Sequence, residues 1–558
     1  ASALTPSSDY QLATKKYVDD NGLNINADLS LNAELHVGGD VSLNGNAFLG
    51  GNYSYVVSTS TVPNVDASLT QLGSDISGPT SYNGTTITSK GFGTGIAIND
   101  DGSIMVGGAY ASTYGDYTGS VQAYQYSSGS WVPYGAPLFG GDGDPNQDAT
   151  GFGASLAMNG TGNIIAVGAP NTDNGSTNAA GEVFVYEYNS GTSSWDQLGS
   201  SFTGVETNDM HGGFTNDSLC LNKAGTVVAM RRSGGVDASY PGIVSIYEYS
   251  SGSWTQLGSD ISGVTGHNFG SSISLNEDGY VIAISANGDD TNATNSGAAY
   301  VYEYDSGSNS WSQRGSTLLG GSNVNENFGR AVALNNDGTI IAVGKEHSAT
   351  GGGFLVYEYS GGSWSQVGST IEGNNLFDML GYSIDINGDG NVVVVGARQG
   401  DEVGESTNPG SVSVYYNVSG TWTLVGDTIY GDTNSGQAGF PVRISRDGTR
   451  IAIPDKTNPL AAEDREIRVF EIPTSEVSTY GTSRGLVGIG VESPSYELDV
   501  SGNTNTTSLI VSSSAIMPIS TPSSASDTGT TGQVAVDTDY VYVCTATNTW
   551  KRAALSTW

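Results

Sequence analysis

A unit of about 55 to 60 residues recurs seven times between Leu69 and Ile472, and a period of that length selects a repeat architecture before any residue suggests a chemistry. The clearest copy runs from Asn327-Phe328-Gly329 through Asn335-Asn336-Asp337-Gly338, Ile340-Ile341-Ala342-Val343-Gly344 and Val356-Tyr357-Glu358-Tyr359 to Trp364. Other copies open at Phe92, Phe152, Phe214 and Phe269, and Gly381-Tyr382 and Phe440 mark the last two. Within each copy apolar residues alternate, or run for four to seven positions, between turn residues; helical periodicity is not sustained anywhere. Four short strands per unit follow. Asp278-Gly279, Asp337-Gly338 and Asp447-Gly448 read as two-residue hairpin turns between strands one and two, since Asp-Gly tolerates the positive φ such turns need. Trp131, Trp195, Trp254, Trp311, Trp364 and Trp422 mark strand four.

Four-stranded units arranged radially predict an all-β, seven-bladed propeller over residues 66–475. The seventh unit lacks a tryptophan strand after Ile472, while Leu69-Thr70-Gln71-Leu72-Gly73 matches the Trp-x-Gln-Leu-Gly pattern ahead of the first unit. Residues 66–77 are therefore expected to close the last blade; a phase in which the tryptophan strand opens each blade would place them in blade one instead.

Segment 1–65 reads as an attachment and β-stalk region. Every odd position from Leu23 to Val37 is apolar or Ala, a stripe with no local element to cover it, so three copies around one axis, a homotrimeric stalk, are expected. Residues 476–515 read as a linker or stalk and 516–558 as a small C-terminal β module.

The repeats resemble the FG-GAP family of integrin-α-like propellers through Phe152-Gly153, Val167-Gly168-Ala169-Pro170 and Gly181-Glu182-Val183-Phe184-Val185-Tyr186. That family implies calcium in Asp-x-Asp-x-Asp-Gly hairpins, but these hairpins hold Asn-Glu-Asp-Gly, Asn-Asn-Asp-Gly or Asn-Gly-Asp-Gly. The ends resemble bacteriophage and large algal-virus fibre proteins: Ala13-Thr14-Lys15-Lys16-Tyr17-Val18-Asp19, Ser493-Pro494-Ser495-Tyr496-Glu497-Leu498-Asp499-Val500, and Gly532-Gln533-Val534 through Trp550-Lys551-Arg552. The resemblance implies a virion-surface homotrimer whose partners are other virion proteins and a host receptor or glycan.

With 19 Lys plus Arg against 56 Asp plus Glu and a net charge of −37, phosphate-backbone binding is excluded, so nucleic acid is not an expected partner. No apolar run is long enough to span a membrane, so membrane insertion is not expected. The loop Asp142-Gly143-Asp144-Pro145-Asn146-Gln147-Asp148 places oxygen ligands at Asp142, Asp144, Asn146 and Asp148, a candidate calcium loop. It lacks the sixth-position glycine and twelfth-position Glu of an EF-hand, so a solvated acidic turn is the competing reading and no other cofactor is expected. His36, His211, His267 and His347 fall in separate segments without metal spacing, no serine elbow occurs, and Asp289-Asp290 and Asp401-Glu402 read as surface charge. No catalytic residue emerges, and the ligand-binding residues are not assigned.

The sequence therefore predicts a fibre or spike protein without enzymatic activity, attached to its host through the propeller face that carries the long, mutually dissimilar loops 171–180, 287–296 and 399–409. The alternatives are a bacterial surface or matrix adhesin and, third, a polysaccharide-depolymerising enzyme whose carboxylate pair is assembled across blades.

Overall fold

The computed structural model describes residues 58–479 except 88, 90, 115–116, 142–149, 176, 214–215, 233–240, 347–350, 374–377, 401–408, 433–437 and 457–464, together with 47–49, 487–489, 498–500, 524–526, 528, 534–536 and 540–554. The apolar stripe from Leu23 to Val37 and the candidate calcium loop with Asp142, Asp144, Asn146 and Asp148 lie outside the described residues.

Two compact units emerge: 60–477, and 1–59 with 478–558. In the second, Ala47–Leu49, Val487–Ile489 and Leu498–Val500 form a parallel three-stranded sheet, and Val534–Val536, Tyr540–Ala546 and Thr549–Ala554 an antiparallel one.

The first unit is a seven-bladed propeller. Blade four shows the pattern: Phe269–Leu275, Val281–Ala286, Ala298–Asp305 and Ser310–Gln313 pair in order, all antiparallel. The fourth strand is in two pieces. After Gly315, at φ +77°, Leu318–Leu319 returns to pair with the start of strand three, so the outer edge carries a bulge that the four-strand reading did not contain. Strand two is buried end to end, from Val281 to Ala286, because it has neighbouring blades on both faces.

The inner turns are longer than the two residues expected from Asp-Gly. Asn276 N donates to Val281 O, while Val281 N donates to the Asn276 side-chain Oδ1, so four residues bridge the strands and the asparagine closes the loop. The side-chain bond recurs at Asn99, Asn159, Asn222, Asn335 and Asn387, with Ser445 Oγ in its place in blade seven. These asparagines, which stand at the second ligand position of the Asp-x-Asp-x-Asp-Gly pattern, are occupied as turn caps.

Those seven turns are also bonded to one another. Asp100 N donates to Gly160 O, Gly160 N to Lys223 O, Lys223 N to Glu277 O, Glu277 N to Asn336 O, Asn336 N to Gly388 O, Gly388 N to Arg446 O, and Asp447 N returns to Asp100 O, all between 2.7 and 3.1 Å. A circle of backbone bonds closes only if the blade count and spacing are right, and it makes this face smooth.

The ring is closed by strands from the two ends of this unit. Thr70–Gln71 and Ile76–Ser77 pair with Arg465–Glu471, completing the sheet of Arg443–Ile444, Arg450–Lys456 and Arg465–Glu471. Trp131 of blade one donates its indole N–H to Leu72 O at 2.9 Å. Trp254, Trp311, Trp364 and Trp422 make the same bond to Leu198, Leu257, Arg314 and Val367 of the preceding blade, at 2.8 to 2.9 Å. The repeated tryptophan is thus a blade-to-blade donor whose ring also packs on the second tyrosine of Tyr-Glu-Tyr, as Trp311 does on Tyr304 at 5.3 Å.

Phe-Gly and Gly-x-Val, far apart in each repeat, are two halves of one junction. The glycine opening strand three of one blade bridges the residue before the glycine opening the next: Gly119 with Phe152, Gly297 with Phe328, Gly352 with Leu380. In blade three Gly181 bridges His211, and in blade seven Gly410 bridges Ala438, so His211-Gly212 and Ala438-Gly439 occupy the Phe-Gly position. Phe440, read as the opening of the seventh repeat, does not stand at the junction, and Phe214 lies outside the described residues. Apolar spacing had found the nearest phenylalanine instead of the backbone register.

Candidate functional site on the long-loop face

On the smooth face the inner turns are bonded into a ring with Asp101, Asp278, Asp337, Asp389 and Asp447 exposed at their tips, and the channel mouth is crossed by Lys223 Nζ, 2.9 Å from Glu277 Oε1 and 3.5 Å from Asp100 Oδ2. Behind it lies a cavity of about 120 Å³ lined by inner strands, including Cys220, Asp217, Asp385, Arg443 and Arg446. Arg443 Nη2 reaches Asp217 Oδ1 at 2.8 Å, tying blade seven to blade three across the channel. Asp385 accepts from Ile386 N and Ile444 N, and burial raises its pKa against the pull of Arg443 and Arg446. Burial pushes the Cys220 thiol up to about 12, so it is a poor nucleophile. Both cysteines are free. These charges are consumed in holding the ring together.

The opposite face holds the two-three and four-one loops, and there three successive blades carry a buried acid paired with a basic side chain at one structural position. The residue two before the junction pairs with a residue at or just after the end of strand two: Asp209 Oδ1 with Arg232 Nε at 3.4 Å in blade three, His267 Nδ1 with Asp289 Oδ2 at 3.1 Å in blade four, Glu326 Oε1 with Lys345 Nζ at 3.5 Å in blade five. Asp289, expected at the surface, is 2 % exposed. Its carboxylate accepts from Thr291 N at 2.8 Å and Tyr300 OH at 3.1 Å. Burial raises its pKa, but the Thr291 hydroxyl and amide and the His267 imidazole outweigh that and hold it below the ordinary carboxylate value. Sequence spacing missed this pair because His267 and Asp289 lie on opposite ends of a hairpin.

His211 is the odd member. It fills a position that is Phe or Leu in blades two, four, five and six, is 5 % exposed, and has Asp209 Oδ2 3.6 Å from Nε2. Burial lowers its pKa from 6.5, with Asp209 opposing and Arg232 assisting. The unfolded chain then binds the extra proton more readily, so stability falls as the pH drops below about 6.5. Replacing His211 with Phe is expected to flatten that part of the profile. Melting curves of both proteins between pH 5 and 8 check it, and an unchanged slope would contradict it.

Among the described residues no group of three or more His, Cys, Asp or Glu is placed to hold a metal ion, and no helix is long and apolar enough to cross a membrane.

An FG-GAP repeat matches residues 259–302, which run from the outer strand of blade three through strands one to three of blade four. The chain carries an FG-GAP repeat within a seven-bladed ring. Among curated proteins, a capsule K30/K69-specific depolymerase of Klebsiella phage K64-1 is 55% identical over 40 residues, 7% of this chain and 5% of that protein. Depolymerase 1 of Klebsiella phage K5-2, specific for the same capsules, is 56% identical over 39 residues, again 7% and 5%. The shared segment supports a phage-related origin. Among solved structures, the periplasmic gluconolactonase of Pseudomonas aeruginosa is 13% identical, covering 65% of this chain and 96% of that one with a TM-score of 0.40. Sqt1 from Chaetomium thermophilum is 11% identical, covering 66% and 80% at 0.39. Likeness at that level carries nothing about activity. The depolymerase matches, however, correct the expectation of a protein without chemistry: the curated proteins that share a segment with this chain are enzymes.

Proposed function

We propose that the chain is a fibre or tail component of a phage-type virion that uses the long-loop face of its propeller to engage a host-surface receptor. The observation that carries this reading is the asymmetry of the two faces: one locked by a circle of backbone bonds, the other built from dissimilar loops held by buried acids paired with basic side chains. The short phage matches support the setting. A homotrimeric stalk from the Leu23 to Val37 stripe belongs to the same proposal, and native mass tests it: three copies are expected, and a 57.4 kDa monomer would contradict it. Replacing the exposed residues of loops 171–180, 287–296 and 399–409 by Gly and Ser, with the buried ones such as Ala180, Asp289 and Ser296 kept, is expected to cut adsorption to host cells at least tenfold while the melting temperature holds. Undiminished adsorption would move recognition off this face.

A second reading is favoured by the depolymerase matches together with the His267 and Asp289 pair: the same face also alters a surface polysaccharide. Asp289 holds the Nδ1 side of the ring, which leaves Nε2 available as a base. Loss of polymer length on incubation with host polysaccharide, abolished by His267→Gln, would establish it; unchanged polymer would dismiss it.

A further inference from the structure

Exposed apolar residues are ordinary one at a time, but three on this face occupy corresponding loops of consecutive blades. Val205, Val264 and Val324, in the loops entering blades three, four and five, are 67 %, 57 % and 61 % exposed. Each loop is pinned. Val205 N reaches Asp209 Oδ2 at 3.4 Å, and Asp209 is paired with Arg232. His267 N donates to Val264 O at 3.1 Å, and His267 is held by Asp289. Gly321 N donates to Glu326 Oε2 at 2.8 Å, and Glu326 is held by Lys345. A further tie runs from Asn325 N to Thr294 O at 2.8 Å, anchoring the third loop to the neighbouring blade. The valines are therefore presented by ordered backbone, which lowers the conformational cost of binding.

Among the described residues the exposed charge around them is acidic, and Arg231, which donates to Asn268 Oδ1 at 2.9 Å, is half-buried. Glu206 and Asp290 are exposed, whereas Arg232, Arg330, Lys345 and Arg468 have side chains only 20 %, 11 %, 8 % and 8 % exposed and spend their charge in ion pairs. On a chain with net charge −37 this repels a polyanion and attracts a basic surface.

Resting on the attachment reading above, we propose that the row Val205, Val264 and Val324 is a docking surface for a protein receptor whose contact patch combines apolar side chains with Lys or Arg, in preference to an acidic polysaccharide. Apolar side chains seated on rigid loops and rimmed by acids match the apolar-core, polar-rim layout of a protein interface, and the rim sets partner sign and association rate.

The test uses the full chain, a random-peptide display library and a glycan array containing neutral, amino and uronate-bearing glycans. Selected peptides are expected to combine Lys or Arg with apolar residues, to bind at least tenfold more weakly to the Val205→Ser, Val264→Ser, Val324→Ser variant, and to lose affinity for Glu206→Gln, Asp290→Asn and in raised salt. Peptides without basic residues, or peptides bound equally by the valine variant, would overturn the proposal. So would retention of uronate-bearing glycans by the native chain but not by the valine variant; that outcome would leave recognition on the loop face standing with a different ligand. Failure of the loop exchange to reduce adsorption is the separate result that removes the attachment reading itself.

Discussion

Deleting residues 1–77 is expected to unfold the propeller's seventh blade and lower the melting temperature sharply, whereas deleting 1–57 leaves the ring intact. The difference is the closing strand. Ile76 is 4 % exposed in the core shared by blades seven and one, where Leu72 also packs, and Val65 and Leu69 pack against the core of blades six and seven. Leu72 N donates to Val469 O at 2.8 Å, Trp131 Nε1 to Leu72 O at 2.9 Å, Tyr124 OH to Ser77 O at 2.7 Å and Gly426 N to Val65 O at 3.0 Å. Exposing buried aliphatic side chains costs about 2 kcal/mol each. Each buried partner left unsatisfied, as the Trp131 and Tyr124 donors would be, adds about 1 kcal/mol or more. The sum, on the order of 5 kcal/mol or more, rivals the whole stability of an ordinary domain. Thermal unfolding of the two truncations measures it; equal stability would mean the strand is dispensable.

Gly297→Ala should be nearly as damaging, for a local reason. Gly297 has φ +84°, and a Cβ there would overlap the Phe328 carbonyl oxygen of the next blade, with backbone on both sides and nothing flexible to yield. Gly252 has almost the same φ, +88°, but a Cβ would meet nothing within 4 Å. Gly252→Ala then isolates the conformational cost, about 1 to 2 kcal/mol, and Gly297→Ala adds the prying apart of two blades, for a total of roughly 3 kcal/mol or more. Chemical denaturation of both variants gives the comparison, and similar losses at the two sites would show that the junction is not tight.

Much of this architecture was legible because a propeller repeats its reasons. Seven copies of one strand pattern, and a tryptophan strand displaced to Leu69, point to a closed ring, since each copy must bury the same faces against the next. What the pattern hid was backbone register. Asp-Gly suggested a minimal turn, but the asparagine three positions before the glycine turns its side chain inward to cap strand two, and that lengthens the loop. Phe214 looked like a repeat opening because it is a phenylalanine followed by polar residues; the junction glycine instead meets His211, a substitution that only the inter-blade bridge reveals.

The candidate site was less legible for a related reason. Asp209 with Arg232, His267 with Asp289 and Glu326 with Lys345 are separated by 19 to 23 positions, with a whole hairpin between them, so no short motif announces them. Their common position appears once the blades are superposed in register. Asp289 beside Asp290 reads as surface charge in sequence, yet the first is buried and the second exposed, because the chain turns between them.

The claim that recognition belongs to the long-loop face is tested most directly by hydrogen exchange of the full chain with and without envelope fragments from adsorbing cells. Slowed exchange is expected in loops 205–211, 264–268 and 321–327, with the inner turns around Asp100, Lys223 and Glu277 unchanged. Protection confined to those turns, or to the segments outside 60–477, would contradict it.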